Sequence, residues 1–168
     1  RSKTGDQPDY RVLSNGVAAA GTGDVIYLAN QDTVDVFELY HANLKTGAVT
    51  KLNGALTSGG RVFNFRFDPK GRSVVYLADQ DTVDVLELYH ANLKTGEVTK
   101  LNGALPPGGG VGDFQFDRKG RSVVYDADQD TDGVLELYHA NLKTGEVTKL
   151  NGALTNGGSV IDFDIIGR

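Results

Sequence analysis

The 168-residue chain contains no cysteine. That excludes disulfides, thiolate chemistry and cysteine-type zinc sites, and it fits any redox compartment. No apolar run approaches the ~20 residues that a membrane-spanning helix needs. No basic block occurs and the net charge is −5, so general attraction to a phosphate backbone is not expected. Nucleic acid and membrane are therefore not expected partners. The chain begins at Arg1 and residues 1–10 are polar, so an intact signal peptide is not expected, although a removed one is compatible with this start.

Glycine, in contrast, is abundant, with 22 residues against a modest apolar share of 39%. Many short strands joined by many turns suit that composition better than long helices do. The length suits one domain, able to bury roughly two-thirds of the surface of its unfolded chain.

Internal repetition dominates the sequence. Gln31, Gln80 and Gln129 open matching segments, and the spacing recurs at His41, His90 and His139 and at Tyr27, Tyr76 and Tyr125. Residues 31–56 differ from 80–105 only at Phe37/Leu86 and Ala48/Glu97, and 129–154 differ from 80–105 only at Asp132 and Gly133. Recent duplication or deliberate design produces such likeness. Each period reads as four short strands. In the middle one, residues 74–78, 86–93, 97–101 and 113–117 are strand-like, separated by turns at residues 79–82, 94–96, 102–103 and 106–110. Four strands in 40–50 residues match one blade of a propeller, and apolar residues on both strand faces suit sheets packed between sheets.

Two motifs carry a family resemblance. Residues 67–76, Phe-Asp-Pro-Lys-Gly-Arg-Ser-Val-Val-Tyr, resemble the "F-S-P-D-G-x-x-I-V-Y" turn of TolB-like (PD40-type, WD40-like) repeats. Asp79-Gln80-Asp81 followed by Glu87-Leu88-Tyr89 resembles their "S-D-R-D-G…x-I-Y" hairpin. The resemblance covers about residues 22–168. It implies an all-β propeller of four-stranded antiparallel blades that serves mostly in protein interaction, often in the periplasm or outside the cell. Tryptophan is absent, against WD40 repeats proper and the Asp boxes of sialidases.

With strands lettered a to d outward from the propeller axis, the chain reads b-c-d, then a-b-c-d twice, then a lone a at residues 160–166. Residues 1–21 form an N-terminal segment, disordered over 1–8, and residues 22–168 hold three repeats of 49 residues. Propellers use about 4–8 blades. The expectation is thus a homodimer of six blades, each C-terminal strand completing the partner's first blade. Residues 10–13 echo a d strand; should they fill an inner-strand place, the chain reads instead as a fragment or a polymerising unit.

Three clusters are candidates for chemistry. Asp128, Asp130 and Asp132, followed by Gly133, fit the first half of a calcium loop, D-x-D-x-D-G, whose alternate carboxylates converge on a hard cation. Position 12, normally a bidentate glutamate, is His139, and Glu136 stands at position 9. The competing reading is an Asx turn, with aspartates bonded to their own backbone. The histidines, one per blade and a sheet spacing of ~10 Å apart, cannot converge on one metal and are expected to pack between blades. No serine stands in G-x-S-x-G, and Glu38, Glu87 and Glu136 repeat with the blade, so no catalytic residue and no enzyme is expected. The copies diverge mainly in the loops between d and a strands and in the inner strands. Those loops share an end with the acidic turns, where Asp32, Asp35, Asp79, Asp81, Asp84 and Asp126 make a candidate binding face for a protein or a small cationic ligand. The sequence therefore reads as a non-enzymatic scaffold or binding module without a required cofactor. The alternatives are a structural or engineered self-assembling unit, and a cation-binding carbohydrate-active or hydrolytic domain.

Overall fold

The computed structural model describes residues 23–166. Expectations for residues 1–21 fall outside it. Three antiparallel sheets follow one another along the chain. The first holds β1 (Asp24–Ala29), β2 (Glu38–Asn43) and β3 (Val49–Lys51). The second runs β4 (Val62–Phe67), β5 (Ser73–Ala78), β6 (Glu87–Asn92) and β7 (Val98–Lys100), and the third β8 (Val111–Phe116), β9 (Ser122–Ala127), β10 (Glu136–Asn141) and β11 (Val147–Lys149). No helix occurs among the described residues.

Turn chemistry sets each hairpin. Between β6 and β7 the Asn92 side-chain oxygen accepts the Lys94 and Thr95 N–H groups at 2.9 and 3.1 Å. Gly96 then takes φ 72°, a left-handed conformation that an ordinary side chain resists. At the far end of each outer strand an asparagine, buried in the first two copies and half-buried in the third, caps the ladder: Asn53, Asn102 and Asn151 accept the N–H of Leu39, Leu88 and Leu137 at 2.7–2.8 Å. The same donor–acceptor pairs form in all three copies, so nearly identical sequence is reproduced as nearly identical local structure.

Packing follows from strand alternation. In the middle sheet Val74, Tyr76 and Ala78 face the first sheet and pack with Leu39, Leu52 and Val62. Val75, Leu77, Leu88 and Leu101 face the third and pack with Val111, Phe114, Val123 and Tyr125. Strand β5 is buried along its whole length because both of its faces have neighbours. Cross-strand tyrosines stack in each sheet, Tyr76 on Tyr89 with ring centres 5.4 Å apart.

One expected strand does not form. Residues 160–166 carry no β ladder, because the ladder partner of an inner strand is the second strand of its own sheet, and none stands beside them among the described residues. They still follow an inner-strand path. The Val160 N–H donates to Leu135 O at 2.8 Å, as Val62 does to Phe37 O and Val111 to Leu86 O, and Gln115 Nε2 donates to Phe163 O at 3.2 Å.

Candidate functional site

The loops joining β1 to β2, β5 to β6 and β9 to β10 gather at one end, together with the loops that cross from sheet to sheet. A β-carbon at Gly59 would touch Val83, and one at Gly108 would press on Asp132. The predicted sharing of one end by these loops is thus realised.

The aspartates at this end divide into three roles. Asp79 is buried and commits both oxygens to backbone, accepting Arg61 N and, at 3.3 Å, Asp84 N. Asp128 does the same with Gly110 N and Gly133 N. One oxygen of each closes its own turn, as the competing Asx-turn reading expects, while the other ties that turn to the loop ahead of β4 or β8. Asp32, Asp81 and Asp130 instead meet lysines: Lys51, Lys100 and Lys149 stand 2.7–2.8 Å from them. Each ammonium also contacts a buried glutamate, Glu38, Glu87 or Glu136, at 2.7–2.8 Å. Each glutamate accepts a tyrosine hydroxyl, from Tyr40, Tyr89 or Tyr138. The lysine hydrogen bond holds the Asp32 and Asp130 carboxyls below the usual range. Between its two carboxylates the Lys51 pKa is driven upward. This carboxylate–lysine–glutamate–tyrosine clamp was not foreseen, although a lysine nineteen residues after each of Asp32, Asp81 and Asp130 signals it.

The third group is exposed: Asp35, Asp84 and Asp132. Asp35 and Asp84 have φ of 63° and 62°, where the third copy places Gly133 at 74°. Aspartate tolerates this region better than most residues but not freely. Asp84→Gly keeps the backbone bond to Asp79 and is expected to raise unfolding free energy by about 0.5 kcal/mol, the relief of strain exceeding the added unfolded-state entropy. Urea denaturation checks this, and a loss of stability would contradict it.

Asp126 does not join the loop face. It is buried in β9, where Oδ1 accepts Asp113 N at 2.7 Å and where a side chain at position 112 would overlap it. Burial, followed by repulsion from Asp113, raises its carboxyl above the usual value. Nor are Asp128, Asp130 and Asp132 assembled as calcium ligands. Among the described residues no three His, Asp or Glu side chains are gathered to hold a metal ion, and the Lys149 ammonium already occupies the cation's place at Asp130. The donor set does not fit calcium.

At the opposite end lies an open cleft of about 480 Å³ between the second and third sheets, lined by Asp68, Arg72, Ser73, His90, Lys94 and Leu142, among others. Asp68, in the predicted turn motif, accepts Lys70 N, Arg72 N and the Ser73 hydroxyl. Its carboxylate organises that turn. Burial lowers the His90 pKa against the opposing charges of Asp68 and Glu97. His41 lies 3.4 Å from Asp24.

No protein-family model and no curated protein sequence matches the chain. Solved structures do. A putative TolB from Agrobacterium tumefaciens matches with TM-score 0.52 at 17% identity, over 76% of this chain and 44% of that one. The fold is that of a β-propeller. A prolyl endopeptidase (TM-score 0.57, 14% identity, 76% of this chain, 21% of that one) and oligogalacturonate lyase from Vibrio parahaemolyticus (0.52, 20%, 80% and 36%) match the blades as well. The chain spans less than half the length of each of these propeller proteins. In propeller terms β1, β5 and β9 are b strands, β4 and β8 are a strands, and residues 160–166 lie on the path of a further a strand.

Proposed function

We propose that this propeller is a non-enzymatic binding scaffold whose working surface is the loop end carrying Asp35, Asp84 and Asp132. The observation behind this reading is the division of labour among the aspartates. One set closes turns on the backbone and one is clamped by lysine, while a third stands exposed on successive blades beside glycine-rich and proline-rich loops. Uncommitted carboxylates, one at this end of each of three successive blades, raise local negative potential and attract a basic partner. That the Ser73 hydroxyl donates to Asp68 and that Asp68 is committed to its own turn supports binding over catalysis at the other end.

The test uses an octalysine peptide, titrated calorimetrically onto the protein and onto a variant carrying Asp35→Asn, Asp84→Asn and Asp132→Asn. Three exposed charges at about 0.5 kcal/mol each predict a roughly tenfold weaker affinity, with a shallower salt dependence. Unchanged binding by the triple variant would refute the assignment. Asparagine retains the left-handed turn conformation, so the variant keeps its fold.

A further inference from the structure

The two outward faces of the three-blade stack are the two halves of a junction that the stack already makes twice internally. At the first internal junction Gly54 N donates to the Tyr76 hydroxyl at 3.3 Å, and a β-carbon at Gly54 would run into the Gln80 amide. At the second, Gly103 N donates to Gln129 Oε1 at 2.8 Å, again with no room for a β-carbon. Gly152, the third member of this set, has nothing within 4 Å of such a carbon, while Tyr27 and Gln31, the third acceptor pair, are bonded to one another at 3.2 Å.

The apolar contacts are left open in the same way. Leu52 and Leu101 are each 6% exposed and Leu150 is 51% exposed. Val74 and Val123 are fully buried and Val25 is 41% exposed. Leu150 lies on the outward face of the third blade and Val25 on that of the first, as the packing of their counterparts Leu101 and Val74 dictates. The one polar exchange on the Leu150 face, Asp126 in place of Leu77, is satisfied internally by Asp113 N.

Strand edges add a register. The first sheet is b-c-d, and no a strand pairs with β1 among the described residues. Residues 160–166 hold an a-strand path with no b strand beside them among the described residues. The internal pairs Val62↔Ala78, Phe65↔Tyr76 and Phe67↔Val74 translate by the repeat into Val160↔Ala29, Phe163↔Tyr27 and Ile165↔Val25. The side-chain pairs agree. Positions 63 and 77 are Phe and Leu, and positions 112 and 126, which touch, are Gly and Asp. Positions 161 and 28 are Ile and Leu, with Ile161 left 92% exposed. Between adjacent inner strands Arg66 bonds Asp113 at 3.0 Å; the equivalent step past residue 164 sets Asp164 against Asn64 of a second copy, a hydrogen-bonding pair.

We infer that two copies of this chain close into a six-bladed ring. The Leu150–Gly152 face and residues 160–166 of each copy dock on β1 and on the Tyr27/Gln31 pair of the other. The contact is heterologous and occurs twice, and six blades fall inside the range of about 4–8 that propellers use.

Light scattering at micromolar concentration tests this, with twice 18.0 kDa expected. A mass of 18.0 kDa, which occupation of the β1 edge by the same chain would produce, overturns it, as does a concentration-dependent series of larger species. Leu150→Asp alters a residue already half exposed and so leaves the blade folded; it is expected to halve the mass with an unchanged circular dichroism spectrum, and retention of the doubled mass would count against the inference. Because the chain has no cysteine, register can be read without background. An equimolar mixture of Ala29→Cys and Val160→Cys chains, treated with a short bis-maleimide, is expected to yield one covalent pair. Each variant alone is expected to yield none, and an uncoupled mixture overturns the register.

Discussion

Truncating Tyr76 to alanine is expected to cost about 4 kcal/mol of folding free energy, seen as a fall of about 10 °C in the melting temperature. The ring is fully buried on β5, stacked 5.4 Å from Tyr89 and packed among the residues between the first and second blades. Its hydroxyl donates to Gln80 Oε1 at 2.8 Å and accepts Gly54 N at 3.3 Å, so it belongs to the core and to the polar seam at once. Tyr76→Phe separates the two parts. It preserves the stack, removes the seam bonds and is expected to cost about 1 kcal/mol. Equal costs for the two variants would mean that the hydroxyl, not the ring, holds these blades together. Set against a total of about 5–15 kcal/mol for a domain, the larger loss approaches unfolding.

The second large effect lies at Gly112 and Asp126. Gly112→Phe alone inserts a ring where Asp126 Oδ1 already stands and is expected to destabilise by about 2–3 kcal/mol. Asp126→Leu alone removes a buried carboxylate but strands Asp113 N, leaving little net change. The double variant recreates the Phe63/Leu77 pair of the middle blade and is expected to be about 1–2 kcal/mol more stable than the native chain, a coupling of roughly 4 kcal/mol. Additive single effects in a double-mutant cycle would disprove the contact. The pH dependence carries an independent signature. Burial raises the Asp126 pKa above 3.8, so in the window above 3.8 and up to the folded value the native state binds more protons than the unfolded state. Through that window this group's contribution to stability declines as pH rises, and it stays unfavourable above. The decline is expected to vanish in Asp126→Leu.

The repeat itself was legible because identical segments meet identical local demands. The Asn92 hairpin needs only an asparagine and a glycine four residues on, and the Phe67–Tyr76 turn motif needs only its own aspartate, so each could be read from spacing. The strand order b-c-d, a-b-c-d, a-b-c-d was also visible, and the sheets reproduce it. The acidic face was legible only as composition. Whether an aspartate is exposed, bonded to backbone or clamped by lysine depends on a partner eighteen or nineteen residues away, as with Arg61 and Asp79 or Lys149 and Asp130. Asp126 was misplaced for the same reason: its cross-strand neighbour Gly112, and not its place in the sequence, makes room for it inside the sheet.

Short-range physics, meaning turn residues, period-two alternation and a 49-residue self-likeness, thus determined from the amino acids alone that this chain forms four-stranded antiparallel blades. Tertiary packing decided which copy of a repeated residue is buried. Leu101 and Leu150 share the same neighbours in sequence, yet one is covered by the next blade and the other faces outward. Burial belongs to the stack of sheets, because removing apolar surface from water requires a second surface, and no single repeat contains one.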